Sequence, residues 1–451
     1  MTWFWKAAGF GLLMGVALSA RADDLLGLYQ EALQSDAIFL AAQADTRAQH
    51  ELLPQARAQL LPNLSWSGSQ SRKSTEQVSQ GAFGSQSSEN DYDSYNYALS
   101  LRQPLFRVHN FALYRQSLAQ VSSANATLES AAQEVAVRVG TAYFDVLLAQ
   151  SELDVNQAQQ EACRAQLDYA QKAFVAGAGT RTDIDEAQSR LDLSRAQAME
   201  LEYRLEYAKD ALQSIVARPL TPLASLNPGR LQLTRPDPER LEEWIRMAES
   251  VNPRLKALKA NIEAAEQEIW KARAGHFPTV DLVMQRSRSD SDYDNSIGSA
   301  YDTKMVGVQV NFPLFSGGYV NSTVRQARAM LEKQRQQLEA ARRETVLEVR
   351  KEFDAASQGI HWVEAYEQAV KSAEQTLFST KKGFQAGTRN TLDILNAERD
   401  LSAARQDLNR GRYQYILARL KLLSLVGRLD AIEMGHFNAW LETRPQTGGI
   451  R

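Results

Sequence analysis

Cysteine is almost missing from this chain: Cys163 is the only one in 451 residues, so no disulfide can form within it. No stretch beyond the N-terminus offers about 18 uncharged apolar residues in succession, which excludes a membrane protein built from spanning helices. Charge of one sign is missing too. With 51 Lys+Arg against 54 Asp+Glu and a net charge of −3, nothing invites a polyanion, and no nucleic-acid partner is expected. Proline (12) and glycine (24) are sparse, so long uninterrupted elements compete with the two or three compact domains that the length would otherwise suggest. An apolar content of 44% excludes disorder. His50, His109, His276, His361 and His436 are scattered without ligand-like spacing, and no nucleophile motif occurs, so neither metal, cofactor nor catalysis is expected. Gly177-Ala178-Gly179-Thr180 has the look of a phosphate loop but lacks the Gly-Lys-Ser/Thr ending and a preceding strand; a helix–helix turn using glycine for positive φ explains it better.

What is present begins with an export signal. Met1–Lys6 carries a positive charge, Ala7–Leu18 is apolar, and Ala20-Arg21-Ala22 supplies the small-x-small pattern of a cleavage site, so residues 1–22 are expected to be a secretory leader. No cysteine lies near that cut, so a lipid anchor on a processed cysteine is not expected.

The mature chain contains an internal duplication. Phe174-Val175-Ala176-Gly177 recurs as Phe384-Gln385-Ala386-Gly387, and the same offset of 210 relates Asp183-Ile184 to Asp393-Ile394, Ala187 to Ala397, Leu191 to Leu401 and Leu212 to Leu422. Upstream, Gln103-Pro104-Leu105-Phe106 is matched by Phe312-Pro313-Leu314-Phe315. An ordered series of this length argues for two halves on one plan. Within each half the apolar residues step by threes and fours: Val135, Val139, Ala142, Val146, Ala149 and Leu153 in one, Val346, Val349, Phe353, Ala356, Ile360 and Val363 in the other. Leu191, Ala198, Leu205 and Leu212 fall seven apart, as do Leu401, Leu408, Tyr415 and Leu422. A run from Arg107 to Ala173 with no proline and only Gly140 allows a helix of roughly 100 Å. An ordinary coiled-coil tether remains open on these segments alone.

Strand-like punctuation argues against that tether. Tyr95, Tyr97, Leu99 and Leu101 alternate with polar residues, as do Val306, Val308, Val310 and Phe312; weaker alternation gives Leu64 and Trp66, and Val280, Leu282 and Met284. That predicts four strands of about ten residues, the length that crosses a bilayer when tilted. The polar stretches 67–93 and 287–302 between strand partners are expected as exposed loops. A soluble antiparallel sheet stays open; a membrane version needs several chains, because four strands cannot close a barrel and a lipid-exposed edge is prohibitive.

The leader, the duplicated helix–strand–strand–helix plan, the two Pro-Leu-Phe junctions and the paired Gly177 and Gly387 turns together resemble the TolC family of outer-membrane exit ducts, over nearly the whole mature chain. The resemblance implies a mainly α fold with a transmembrane β part. In it a homotrimer builds a long α-helical barrel in the periplasm, and four β-strands per chain complete a trimeric 12-stranded barrel in outer-membrane lipid. Its boundaries place the helical barrel at 23–61, 105–217, 251–276 and 314–429, the strand pairs with external loops at 62–104 and 277–313, and an equatorial segment at 218–250. A C-terminal tail at 430–451 is expected to be mobile. Pro104 and Pro313 mark the strand–helix junctions. Within the family the chain resembles the type I secretion branch, implying an inner-membrane ABC exporter, a periplasmic membrane-fusion adaptor and a secreted protein cargo, by branch a protease. A multidrug outlet shares the architecture. The resemblance also implies a gate at the periplasmic turns: a latch of Arg389 with Thr182 and Asp183, Phe384 standing where the family has an aromatic hydroxyl, and a pore constriction at Asp393 and Asn396, the latter departing from a second acidic ring. Near a turn, Asp183 and Asp393 also suit helix N-caps.

Overall fold

A computed structural model describes residues 22–82, 84–294 and 297–442; the expected leader up to Arg21 and the chain from 443 on lie outside the described residues. In chain order the elements are α1 (Leu25–Ser35), α2 (Ala37–His50), α3 (Leu52–Ala58), β1 (Asn63–Gly81), β2 (Gly84–Phe106), α4 (Val108–Val175), α5 (Arg181–Val216), β3 (Ser225–Leu226), α6 (Leu241–Val251), α7 (Pro253–Arg273), β4 (Thr279–Asp294), β5 (Ile297–Asn311), α8 (Tyr319–Gln385), α9 (Thr391–Leu425), α10 (Ala431–Asn438) and β6 (Leu441–Glu442). The sequence duplication is a structural one. Strand, strand, long helix, shorter helix occurs twice, with α4 and α8 at 68 and 67 residues and α5 and α9 at 36 and 35. Among the described residues no helix is long and apolar enough to cross a membrane.

The chain divides into two compact units. The first holds the residues up to Leu40, Ala132–Ile245 and those from Glu348 onward. Its core is the seam expected from the heptads: Val135, Val139, Val146, Leu153, Leu191, Leu205, Leu212, Val349, Ala356, Val363, Leu401, Leu408, Tyr415 and Leu422 are all buried. Side chains that repeat every 3.5 residues stay on one stripe of a helix, and burying that stripe is what stabilises helices of this length. Polar ends inside the seam are satisfied: the Tyr143 hydroxyl donates to the Ala224 carbonyl at 2.7 Å, and that of Tyr415 to the Thr234 carbonyl at 2.8 Å.

Around these helices lie short irregular pieces. Asp36 is buried, caps α2 by accepting from the Phe39 amide at 2.7 Å, and takes a two-point bond from Arg138 on α4 at 2.7 and 2.9 Å. Burial pushes its carboxyl up, but the Arg138 guanidinium and the amide bonds outweigh that and hold it below the ordinary value of 3.8. Asp23 is held the same way by Arg218 and the Thr221 amide. Residues 430–442 of the expected mobile tail are ordered instead: α10 packs on α1, β6 pairs with β3, and Trp440 lies edge-on to Phe437 with the Arg419 guanidinium over its ring; 443–451 lies outside the described residues. The proline-dense segment 218–250 anchors on Trp244, which is buried and donates to the Pro238 carbonyl at 2.7 Å.

The second unit holds Ala41–Ala131 and Arg246–Leu347. Its sheet has the order β1-β2-β4-β5, antiparallel throughout, with β1 and β5 as edges. The register puts Leu64, Leu101, Met284 and Val306 in one row and so aligns the alternation seen in sequence. One face carries Leu64, Trp66, Leu99, Leu101, Leu282, Met284, Val306, Val308 and Val310. The other carries Ser65, Ser67, Ser100, Arg102, Asp281, Gln285 and Gln309. The polar stretches expected as loops are strand instead: β1 and β2 run 19 and 23 residues, β4 and β5 16 and 15. Composition misleads there because both faces are polar, so no alternation is visible, while the hairpins still pair their own backbone groups. Side chains such as Ser87 and Glu76, 2.8 Å apart, bridge the strands.

The two junction prolines differ. Pro104 lies inside β2, where the ladder to β4 shifts between Pro104 and Phe106 and pairing to β1 has already ended at Arg102. Only Arg107 separates β2 from α4; it clamps the buried Asp281 of β4 with bonds of 2.8 and 2.5 Å. Pro313 sits in a seven-residue connector that turns through Gly317 and Gly318, both at positive φ, before α8.

Candidate functional site

The two helix turns that the duplication singles out are built alike, and their bonds show why. After α4, Gly177 adopts φ +74, the Gly177 amide bonds to the Phe174 carbonyl at 3.0 Å and that of Ala178 to Ala173 at 2.9 Å. After α8, Gly387 has the same φ, with the amides of Gly387 and Thr388 bonded to Phe384 and Gly383 at 3.0 and 2.9 Å. Left-handed backbone is cheap only for glycine, and it lets the last helical carbonyls find donors.

Each following helix opens with a capping box. Thr180 caps α5: its hydroxyl accepts from the Asp183 amide at 3.2 Å, and its own amide donates to Asp183 Oδ2 at 2.9 Å. Asn390 and Asp393 do the same for α9 at 2.8 and 3.0 Å. Asp183 and Asp393 are thus not the N-caps expected of them: Thr180 and Asn390 are the caps, and the two aspartates are the third residues of the boxes, bonding back to the cap amides. In both boxes only Oδ2 serves the cap.

The copies differ in what reaches the other oxygen. Asp393 Oδ1 has Arg389 Nη1 at 3.9 Å, a loose contact with the arginine side chain 59% exposed. The residue matching Arg389 in the first turn is Gly179, and among the described residues no cation pairs with Asp183 Oδ1. Thr182 is exposed one position before it. Within one chain Arg389 therefore meets Asp393, and the structure does not bring it to Thr182 or Asp183.

Phe384 packs its ring edge-on against Tyr169 of α4, centroids 5.4 Å apart, and against the buried cluster of Leu377, Ile394, Ala397 and Leu401. Asn396 accepts from Arg190 Nη2 on α5 at 3.3 Å, tying the α9 start to the first repeat, and Leu395 inserts among Cys163, Leu167, Ala187 and Leu191. Arg190 and Tyr169 escape sequence reasoning: each partner lies more than two hundred residues away, and nothing in their local pattern marks them. Beside them a crevice of about 300 Å³ runs between α4, α5 and α9, lined by charged side chains of both signs, including Glu152, Arg190, Glu398 and Arg410. Burial pushes the Cys163 thiol up from its ordinary value. Among the described residues no three of His, Cys, Asp and Glu are grouped to hold a metal ion.

Comparison with known proteins agrees with this architecture. Residues 28–218 and 244–428 match the family model described as outer membrane efflux protein. The chain is 35% identical to the alkaline protease secretion protein AprF of Pseudomonas aeruginosa, covering 96% of this chain and 90% of that protein. It is 32% identical to the proteases secretion protein PrtF of Dickeya chrysanthemi, covering 95% and 93%. Among solved structures, the outer membrane protein VceC of Vibrio cholerae superposes with a TM-score of 0.77 at 20% identity, over 89% of this chain and 96% of that one. Two matching segments that span both repeats, and full-length relatives above 30% identity, place the chain in the outer membrane efflux protein family, the TolC family.

Proposed function

We propose that this chain is the outer-membrane exit duct of a type I protein secretion system. Three copies close a twelve-stranded barrel through their β1 and β5 edges, and their helices line a periplasmic tunnel. An inner-membrane ABC exporter supplies the energy, a periplasmic membrane-fusion adaptor joins it to the duct, and the cargo is a secreted protein, a protease by analogy with AprF and PrtF. The observation that carries the assembly is the four-stranded sheet, which has one apolar face and two unpaired edges: lipid does not tolerate free edges, so further copies must satisfy them.

The turns are proposed as the gate. Arg389, held only loosely by its own Asp393, exchanges onto Asp183 and Thr182 of a neighbouring copy, where Oδ1 has no cation of its own. Such a link is directional and opens at modest cost, because exposed ion pairs contribute about 0–1 kcal/mol each. Three copies of Asp393 with Asn396 form the constriction that attracts cations. Phe384 substitutes an apolar contact with Tyr169 for a hydroxyl link.

Deleting the gene should abolish accumulation of the exported protease in the medium while leaving drug susceptibility unchanged, and the intact gene should restore secretion. Loss of drug tolerance with normal secretion would instead assign the duct to a multidrug pump.

A further inference from the structure

On the apolar face of the sheet, the row just beyond the hydrophobic band changes character abruptly. Trp66, Leu99, Arg286 and Lys304 share one row, and Gly68, Tyr97, Arg288 and Asp302 share the next. Three cations thus stand on the same face as Leu282, Met284, Val306 and Val308. Arg286 and Arg288 are the eighth and tenth residues of β4, and Lys304 is the eighth from the end of β5. A tilted strand crosses the hydrocarbon in about 9–11 residues, so these positions fall at its outer boundary. The aromatics mark the same level independently: Trp66 and Tyr97 stack with centroids 6.3 Å apart in those two rows, and such rings sit among headgroups. Arginine or lysine on a lipid-facing strand costs about 2–4 kcal/mol at mid-bilayer but only about 0–1 near the interface.

The charges are not simply paired off. Arg286 takes both oxygens of Asp302, at 3.2 and 2.8 Å. Arg288, directly across from Asp302, and Lys304, directly across from Arg286, are then in excess. Asp290, one row further out on this face, is the next carboxylate. Arg288 and Lys304 are therefore diagonal neighbours on adjacent strands, about 7–8 Å apart at the backbone, a span that two long cationic side chains can close around one phosphate.

We propose that Arg288 and Lys304, with Asp302 neutralised by Arg286, form a docking surface for the phosphate-bearing glycolipid headgroups of the outer leaflet. The inference rests on the sheet spanning the outer membrane with its hairpins outward. Charge complementarity selects the occupant: an apolar band capped by cations fits acyl chains topped by phosphate, and fits neither a zwitterionic lipid nor a neutral one as well.

The test uses the full trimer in detergent, titrated by native mass spectrometry with bis-phosphorylated lipid A, the same lipid freed of phosphate, and inorganic phosphate. The wild type should retain the phosphorylated lipid. The double variant Arg288→Gln/Lys304→Gln should bind it at least about tenfold more weakly, the equivalent of one charge-assisted bond. Both proteins should hold the phosphate-free lipid equally weakly. Equal retention of phosphorylated lipid by variant and wild type would overturn the proposal, as would wild-type binding that ignores the phosphates or that inorganic phosphate alone reproduces. Single-channel recording on both proteins separates the premises: if neither conducts in planar bilayers, the spanning sheet itself is wrong, whereas two conducting proteins with equal lipid retention reject only the headgroup site.

Discussion

At the scale of single residues, Asp183 has two possible employments that use different atoms. Its Oδ2 belongs to the capping box of α5, and its Oδ1 is left for a latch. Substitution separates them. Asp183→Asn keeps an oxygen for the Thr180 amide but removes the charge, so if the latch exists, single-channel conductance rises in this variant as it does in Arg389→Ala. If Asp183 serves only the capping box, Asp183→Asn leaves conductance unchanged, and only Asp183→Ala matters, through a loss of about 1 kcal/mol in helix stability. The pairing Asp183→Arg with Arg389→Asp should return conductance toward the wild-type value. The residues of the turns were legible in the sequence because duplication repeats them: Gly177 with Gly387 and Asp183 with Asp393 stand at one offset. Tyr169, Arg190 and the Arg107–Asp281 clamp were not, since each acts on a partner brought near only by the fold.

Elements differ in how plainly the sequence shows them, for a physical reason. Helices with a heptad seam announce themselves, because a stripe must be apolar to be buried, and Val135 to Leu153 and Leu401 to Leu422 are largely buried as expected. The inner halves of the strands announce themselves by alternation. Their outer halves, with Ser, Gln, Asn and Asp on both faces, carry no burial pattern and were expected as loops, although the hairpins continue to pair. The short α10 and β6 offer too few residues for any periodicity. At this scale the joint between α1, α2 and α4 makes a prediction. The Asp36 carboxyl sits below its ordinary value in the fold, so its contribution is complete above about pH 4 and disappears as the pH falls through the lower folded value. Asp36→Asn should therefore lower stability near neutrality by about 1–3 kcal/mol, through loss of the charged bonds to Arg138. In chemical denaturation followed by circular dichroism, the gap between variant and wild type should close on acidification below pH 4; a gap constant from pH 7 to pH 3 would remove the charge from the explanation.

For the whole molecule, one geometrical fact organises the rest. A sheet of four strands with an apolar face ends in two open edges, and the helices that continue from it repeat the same plan twice. Membership of the outer membrane efflux protein family follows from the matches over 28–218 and 244–428. The claim beneath these readings is that the edges of β1 and β5 are closed by further copies of this same chain in lipid. Native mass spectrometry of the protein extracted with detergent from outer membranes tests it most directly. Three chains in one particle, released as single chains on heating, is the predicted result; a single chain that stays in solution without detergent would contradict it.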